Sequence, residues 1–195
     1  MLVLLMMISM CCGAGMVFLY MLGYFTKIKF TEKEFPGMHI VYAQNSGDYK
    51  KIQGFYMWLG SKLKGNFKED NLGFGIYYDD PKKVVNQEEC RCIGGVVLSP
   101  EEIKSESYKE FLKKEPRFRY KYLRRSPSIY TSFPYINYAS FQIADQKIWP
   151  SLRRFLKENP KYKDFGLCQG ECIEVYNLED EDFRKRKINY YWPLG

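Results

Sequence analysis

The order of secondary-structure signals in this chain runs through one cycle twice, and that recurrence constrains the fold more than any single motif. The first cycle begins at His39–Ala43 (HIVYA), whose alternation reads as a strand. The turn cluster NSGD at 45–48 then leads into YKKIQGFYMWLGSKLK, where Ile52, Phe55, Tyr56, Leu59 and Leu63 fall on one helical face. Phe74–Tyr78 (FGIYY) and Arg91–Leu98 supply two more strands. The second cycle has extended stretches at 117–123 and Ile129–Phe133, then a helix over 144–158 with Ile148, Trp149, Leu152, Phe155 and Leu156 inward. Strands at Cys172–Tyr176 and Lys187–Trp192 complete it. Between the cycles, SPEE at Ser99–Glu102 combines a Ser cap, Pro at the first helical position and a Glu closing a capping box, so one helix is expected to run to about Lys114. Two strand-helix-strand-strand units imply an α+β fold, with one antiparallel sheet and helices on a single face. The cleft between the halves is the default ligand site.

The N-terminus points elsewhere. No charged side chain occurs from Met1 to Thr26, and as a helix this stretch would reach roughly 39 Å, more than the ~30 Å hydrocarbon core of a bilayer. The sequence predicts a transmembrane helix over 1–26, a juxtamembrane linker over 27–37 and a domain over 38–195. Lys27, Lys29 and Lys33 lie just past the apolar run, which by the positive-inside rule keeps the domain cytosolic and sends the N-terminus across. A cleaved signal peptide is the alternative, carried by the small residues Cys11–Gly15, although a basic n-region is lacking.

The net charge is +7, with basic runs at 121–125 (KYLRR) and 184–187 (RKRK). Neither run sits in a recognised nucleic-acid module, so they read as solvated faces or as attraction to anionic lipid, and no nucleic-acid partner is expected. Cys11 and Cys12 fall in the apolar run, as ordinary apolar residues or palmitoylation candidates. The pairs Cys90-x-Cys92 and Cys168-x-x-x-Cys172 fit a zinc site poorly and read as buried structural thiols; no metal or cofactor is expected. His39, the single histidine, has no partner motif and reads as structural or exposed.

Glu174 is the sharpest single position. In CIEVY, Cys172, Glu174 and Tyr176 share one strand face and Ile173 and Val175 the other. A carboxylate beside aromatic rings suits a flat cationic ligand, because ring quadrupoles attract positive charge and the carboxylate neutralises it. Tyr78 and Trp149 are the other candidate ligand-binding residues. The plain alternative is a surface glutamate paired with lysine. A general base in a small hydrolase is another, but no Ser-His or Cys-His constellation accompanies it, so no enzyme activity is expected.

These residues also carry a resemblance. SGDYKKIQGFYMWL resembles the Gly-x-Tyr entry and Trp-bearing helix of GyrI-like domains, a tandem-repeat fold that binds small molecules in bacterial regulators. IYYDDPKKVVNQEECRCIGGVVLS, TSFPYINYASFQIADQKIWPSLRRFL and CIEVY resemble a testis-expressed family of receptors for autophagy of the endoplasmic reticulum. The resemblance implies an N-terminal span in the endoplasmic reticulum membrane with its N-terminus lumenal, a cytosolic GyrI-like binding or adaptor domain, and autophagosomal or other adaptor proteins as partners. It matches Glu174 to the ligand-facing glutamate of GyrI-like domains. This chain ends at Gly195, short of the family's acidic tail. Letters of an autophagosomal motif occur at Tyr49–Ile52 (YKKI) and Tyr191–Leu194 (YWPL), yet Ile52 is wanted by the helix core.

Overall fold

The computed structural model describes residues 13–68, 71–80, 83–162, 171–178 and 182–194. Its strands are β1 (Thr31–Phe35), β2 (Met38–Ser46), β3 (Gly73–Tyr77), β4 (Arg91–Leu98), β5 (Phe118–Leu123), β6 (Ser126–Pro134), β7 (Cys172–Asn177) and β8 (Lys187–Pro193). They form one antiparallel sheet in the order β1-β6-β8-β7-β3-β4-β2-β5. The two cycles lie side by side, β2-β3-β4 beside β6-β7-β8, and they meet where β3 pairs with β7. Each cycle gains a lateral strand. β1 lies where the sequence reads only a linker, and it pairs with β6 of the other half, as β5 pairs with β2.

Two short connectors decide the sheet's shape. Only Pro36 and Gly37 separate β1, at one end of the order, from β2, seventh along it; only Arg124 and Arg125 separate β5, at the other end, from β6. Six strand spacings in a flat sheet would span roughly 29 Å, whereas three Cα steps reach at most about 11 Å. The sheet is therefore rolled. Its inner face buries Phe35, Ile40, Phe74, Ile76, Ile93, Leu123 and Val175 in one cluster without a covering helix, each apolar side chain contributing roughly 1.5–3 kcal/mol. Gly37 makes the turn possible: its φ is +75°, and a Cβ there would sit 2.9 Å from Tyr122 Oη and 3.2 Å from the Leu123 carbonyl.

The outer face carries the helices. α2 (Gln53–Leu63) packs Phe55, Leu59 and Leu63 against β2 and β4, and α5 (Tyr138–Glu158) packs Ala144, Ile148 and Leu152 against the second half. α5 starts ahead of the expected position because the Asn137 side chain accepts a hydrogen bond from the Ala139 amide and caps it there. The helix expected over 99–114 is two, α3 (Pro100–Lys104) and α4 (Glu106–Lys114). The SPEE capping box forms, but Ser105 adopts an extended backbone and caps the second helix through the Tyr108 amide.

The expected transmembrane helix is overturned. Among the described residues no helix is long and apolar enough to cross a membrane. Of α1, residues 13–21 are described. It ends in a turn closed by hydrogen bonds from the Gly23 amide to Tyr20 and from the Tyr24 amide to Leu19, with Gly23 at φ +86°. Leu22 is buried and the Lys147 amine donates to the carbonyls of Gly23 and Tyr24, so this end of the helix is held by the domain. Residues 1–12, with Cys11 and Cys12, and residue Cys168 lie outside the described residues.

Candidate ligand site

One register row crosses the sheet beneath the helices: Tyr190 on β8, Glu174 on β7, Gly75 on β3, Gly94 on β4, Ala43 on β2 and Phe118 on β5. Its centre has almost no side chains. A Cβ on Gly94 would lie 2.9 Å from Leu59 Cδ1 and 3.1 Å from the rings of Phe55 and Tyr56, so the bare glycine lets α2 settle close to the sheet. A Cβ on Gly75 would lie 2.4 Å from Tyr56 Oη and 2.7 Å from Tyr176 Oη, so the hollow over Gly75 is where the tyrosine hydroxyls converge.

Those hydroxyls form a chain that ends on Glu174. Tyr176 donates to Glu174 Oε2 at 2.9 Å. Having given its one proton there, Tyr176 can only accept in its 3.3 Å contacts with Tyr56 and Tyr77. Tyr56 and Tyr77 stand 2.9 Å apart, so two protons serve three contacts and the donors run toward the carboxylate. Burial holds all three phenols well above the ordinary tyrosine range, which keeps them neutral.

Glu174 is 6% exposed and makes no ion pair among the described residues. Burial pushes its carboxyl up to about 8; the charge of Asp145 adds to the rise and the Tyr176 hydrogen bond opposes it. Asp145, on α5, is crowded enough by protein for desolvation to raise its own carboxyl, yet the residue keeps a solvent-exposed surface. Phe141, also on α5, meets the Tyr176 ring edge-on with centroids 5.6 Å apart. A cleft of about 730 Å³ at the end of α2, bordered by Leu63, Phe67, Gly73, Val96, Tyr176 and Leu178, touches this group at Tyr176. A second cleft, about 310 Å³ between Asp48, Trp58 and Arg117, touches none of these site residues.

Of the four residues picked from sequence, the fold brings Glu174 and Tyr176 together and sends Tyr78 away. Tyr78 follows β3 and packs with the inner-face cluster, so the ring that reaches the site from this segment is its neighbour Tyr77. Trp149 lies in the same outer cluster as Tyr176, but its ring meets Trp192, at 6.0 Å. Tyr56, Tyr77 and Asp145 were not picked. Tyr56 carried a readable signal in its place on the inward face of α2; a tyrosine and an acid from elements far apart in sequence carried none.

Other sequence features are taken up by the fold. Cys90, Cys92 and Cys172 are buried free thiols, with burial raising each. His39 is held between Tyr120 and Tyr122, three strands from β7, or roughly 14 Å. The Tyr49 hydroxyl donates to the Arg91 carbonyl and Ile52 packs into the α2 cluster, while Tyr191 and Trp192 are buried in β8. Neither motif-like stretch offers a free hook.

Comparison with known proteins agrees with this architecture. No family model matches the chain. It is 28% identical over 123 residues to the Testis-expressed protein 264 homolog of Mus musculus, covering 62% of this chain and 35% of that protein. Testis-expressed protein 264 of Homo sapiens is 27% identical over 122 residues, with 60% and 37% covered. The chain thus spans about a third of the length of the curated relatives it matches. The fold is similar to the EcmrR C-terminal domain (TM-score 0.53, 10% identity, 86% of this chain and 98% of that one). It is also similar to a Listeria innocua protein described as a hydrolase (TM-score 0.52, 13% identity, 86% and 92%), and to EcmrR in a complex with DNA (TM-score 0.50, 11% identity, 98% and 68%).

Proposed function

We propose that this chain is a GyrI-like binding module whose cleft takes a flat organic cation against Tyr176, with Glu174 behind that ring as counter-charge and Tyr56, Tyr77 and Phe141 packed around it. One observation carries this reading: among the described residues no cation balances the buried Glu174. Burying an unpaired carboxylate is costly, and the core gains nothing from it that a glutamine would not supply. A planar cation lodged in the cleft against Tyr176 would help neutralise the carboxylate behind that ring and lie against a face that favours positive charge. The tyrosine hydroxyls would then turn from one another toward the carboxylate and the ligand.

Binding is favoured over turnover because no described residue beside Glu174 is a competent nucleophile. The Cys172 thiol is held neutral by burial and by the charges of Glu174 and Asp145, and His39 is strands away. The likeness to testis-expressed protein 264 supports an adaptor setting, in which the domain recruits its ligand or partner for a longer protein. Thermal shift with rhodamine 6G tests the site: the wild-type chain should be stabilised in proportion to dye occupancy, and Glu174→Gln should lose that shift. Equal shifts in both proteins would refute the site.

A further inference from the structure

The two terminal strands occupy matching places in the two repeats and are treated differently. On β1, the Glu32 carboxylate accepts from Lys161 Nζ and from Tyr162 Oη, both at 2.7 Å, and the Lys33 amine lies 4.4 Å from the centroid of Tyr130. On β5 and its flanks, from Arg117 to Arg125, there are five cations and no acid. Arg117 stacks on Trp58 and Arg125 donates to the Pro36 carbonyl, but Arg119, Lys121 and Arg124 form no ion pair among the described residues. Among the described residues β5 pairs with β2 alone, so one side of its backbone meets no described strand.

Side chains of β5 alternate in chemistry as well as direction. Tyr120 and Tyr122 point to the helix side, 40% and 46% exposed, with His39 between them: its Nδ1 is 2.6 Å from Tyr120 Oη and its ring centroid 4.6 Å from that of Tyr122. Arg119 and Lys121 point the other way and are exposed. Cations on an edge strand commonly keep sheets from pairing with copies of themselves. That repulsion acts on basic strands and becomes attraction for an acidic one. Two exposed aromatic rings are not needed for repulsion at all.

We propose that β5 accepts an extended acidic peptide of a partner protein as a ninth strand. The open N–H and C=O groups would hold the peptide backbone, Arg119 and Lys121 would face acidic residues at alternate positions, and Tyr120 and Tyr122 would flank the apolar residues between them.

Fluorescence anisotropy with the full chain and a labelled Val-Glu-Val-Glu-Val-Glu peptide provides the test. Binding should weaken between 50 and 200 mM salt, as screening demands. N-methylation of alternate peptide amides, which removes the backbone donors, should weaken it by about tenfold or more, and Arg119→Glu with Lys121→Glu should do the same, since tenfold corresponds to losing one or two such contacts. Both substituted side chains are exposed, and an unchanged melting temperature would show that the variant folds. Equal binding of the N-methylated peptide would overturn strand addition in favour of a diffuse basic patch. Binding of a dT12 oligonucleotide without binding of the peptide would make the surface a nucleic-acid platform. Binding of neither would leave the cations as a guard against self-pairing and end the proposal.

Discussion

β3 and β7 hold the same place in the two repeats and pair directly, yet where β7 carries Glu174, β3 carries Gly75. One repeat brings charge to the meeting line and the other brings room. Two glutamates there would face each other as like charges, and two glycines would leave nothing to hold a cation. A duplicated unit can thus build an asymmetric site by changing one side chain on each side of its symmetry axis.

The sharpest way to break this contrast is to fill the empty side. Gly75→Ala would put a methyl group 2.4 Å from Tyr56 Oη and 2.7 Å from Tyr176 Oη, so the hydroxyl chain must part. The expected cost is about 1–3 kcal/mol by urea unfolding, as for other overpacked cores, together with loss of dye binding by calorimetry. Removing the charge instead should separate binding from stability. Glu174→Gln should abolish dye binding while raising stability at pH 8, because the carboxyl that holds a proton the unfolded chain releases, or ionises while buried, disappears.

Stability against pH offers a third view of the same contrast. The Glu174 carboxyl is held near 8, above its ordinary 4.5, so between those values the folded chain keeps a proton that the unfolded chain releases. Stability from this group is fully present below about 4.5 and is lost as pH rises toward 8, with a slope of at most about 1.4 kcal/mol per pH unit. Denaturant midpoints across that range should show the decline in the wild type and lack it in Glu174→Gln. Cation affinity should move the opposite way, falling up to about tenfold for each pH unit below 8, since the ligand needs the ionised form. The smallest effect belongs to Tyr176→Phe. Losing that hydrogen bond should cost about 1 kcal/mol and shift the pH transition of Glu174 upward, because the bond opposes the rise; isotope-edited infrared titration of the carboxyl would register it.

Much of the architecture was legible because its signals are local. Alternation marked β2 and β7, the SPEE box marked α3, and the strict period of CIEVY put Glu174 beside Tyr176 on one face. Signals failed where the deciding partner is remote. Nothing in TEKEF announces a strand, since β1 exists by pairing with β6 some hundred residues later. Phe74–Tyr78 reads as one run from which Tyr78 is picked, whereas the register puts Tyr77 beside Tyr176. The apolar N-terminus was judged by length and hydropathy alone, which take no account of the Gly23 turn and the contacts of Leu22 and Lys147.

The exchange of lateral strands bears on how this chain reaches its native state. β1 is made with the first repeat and completes the second, and β5 does the converse, so neither repeat can close its sheet from its own sequence. Pairings between distant segments make the search slow, on the order of milliseconds to seconds for sheet-rich topologies of this kind. Fragments cut between α4 and β5 should each remain open-edged when alone and regain cooperative unfolding only when mixed.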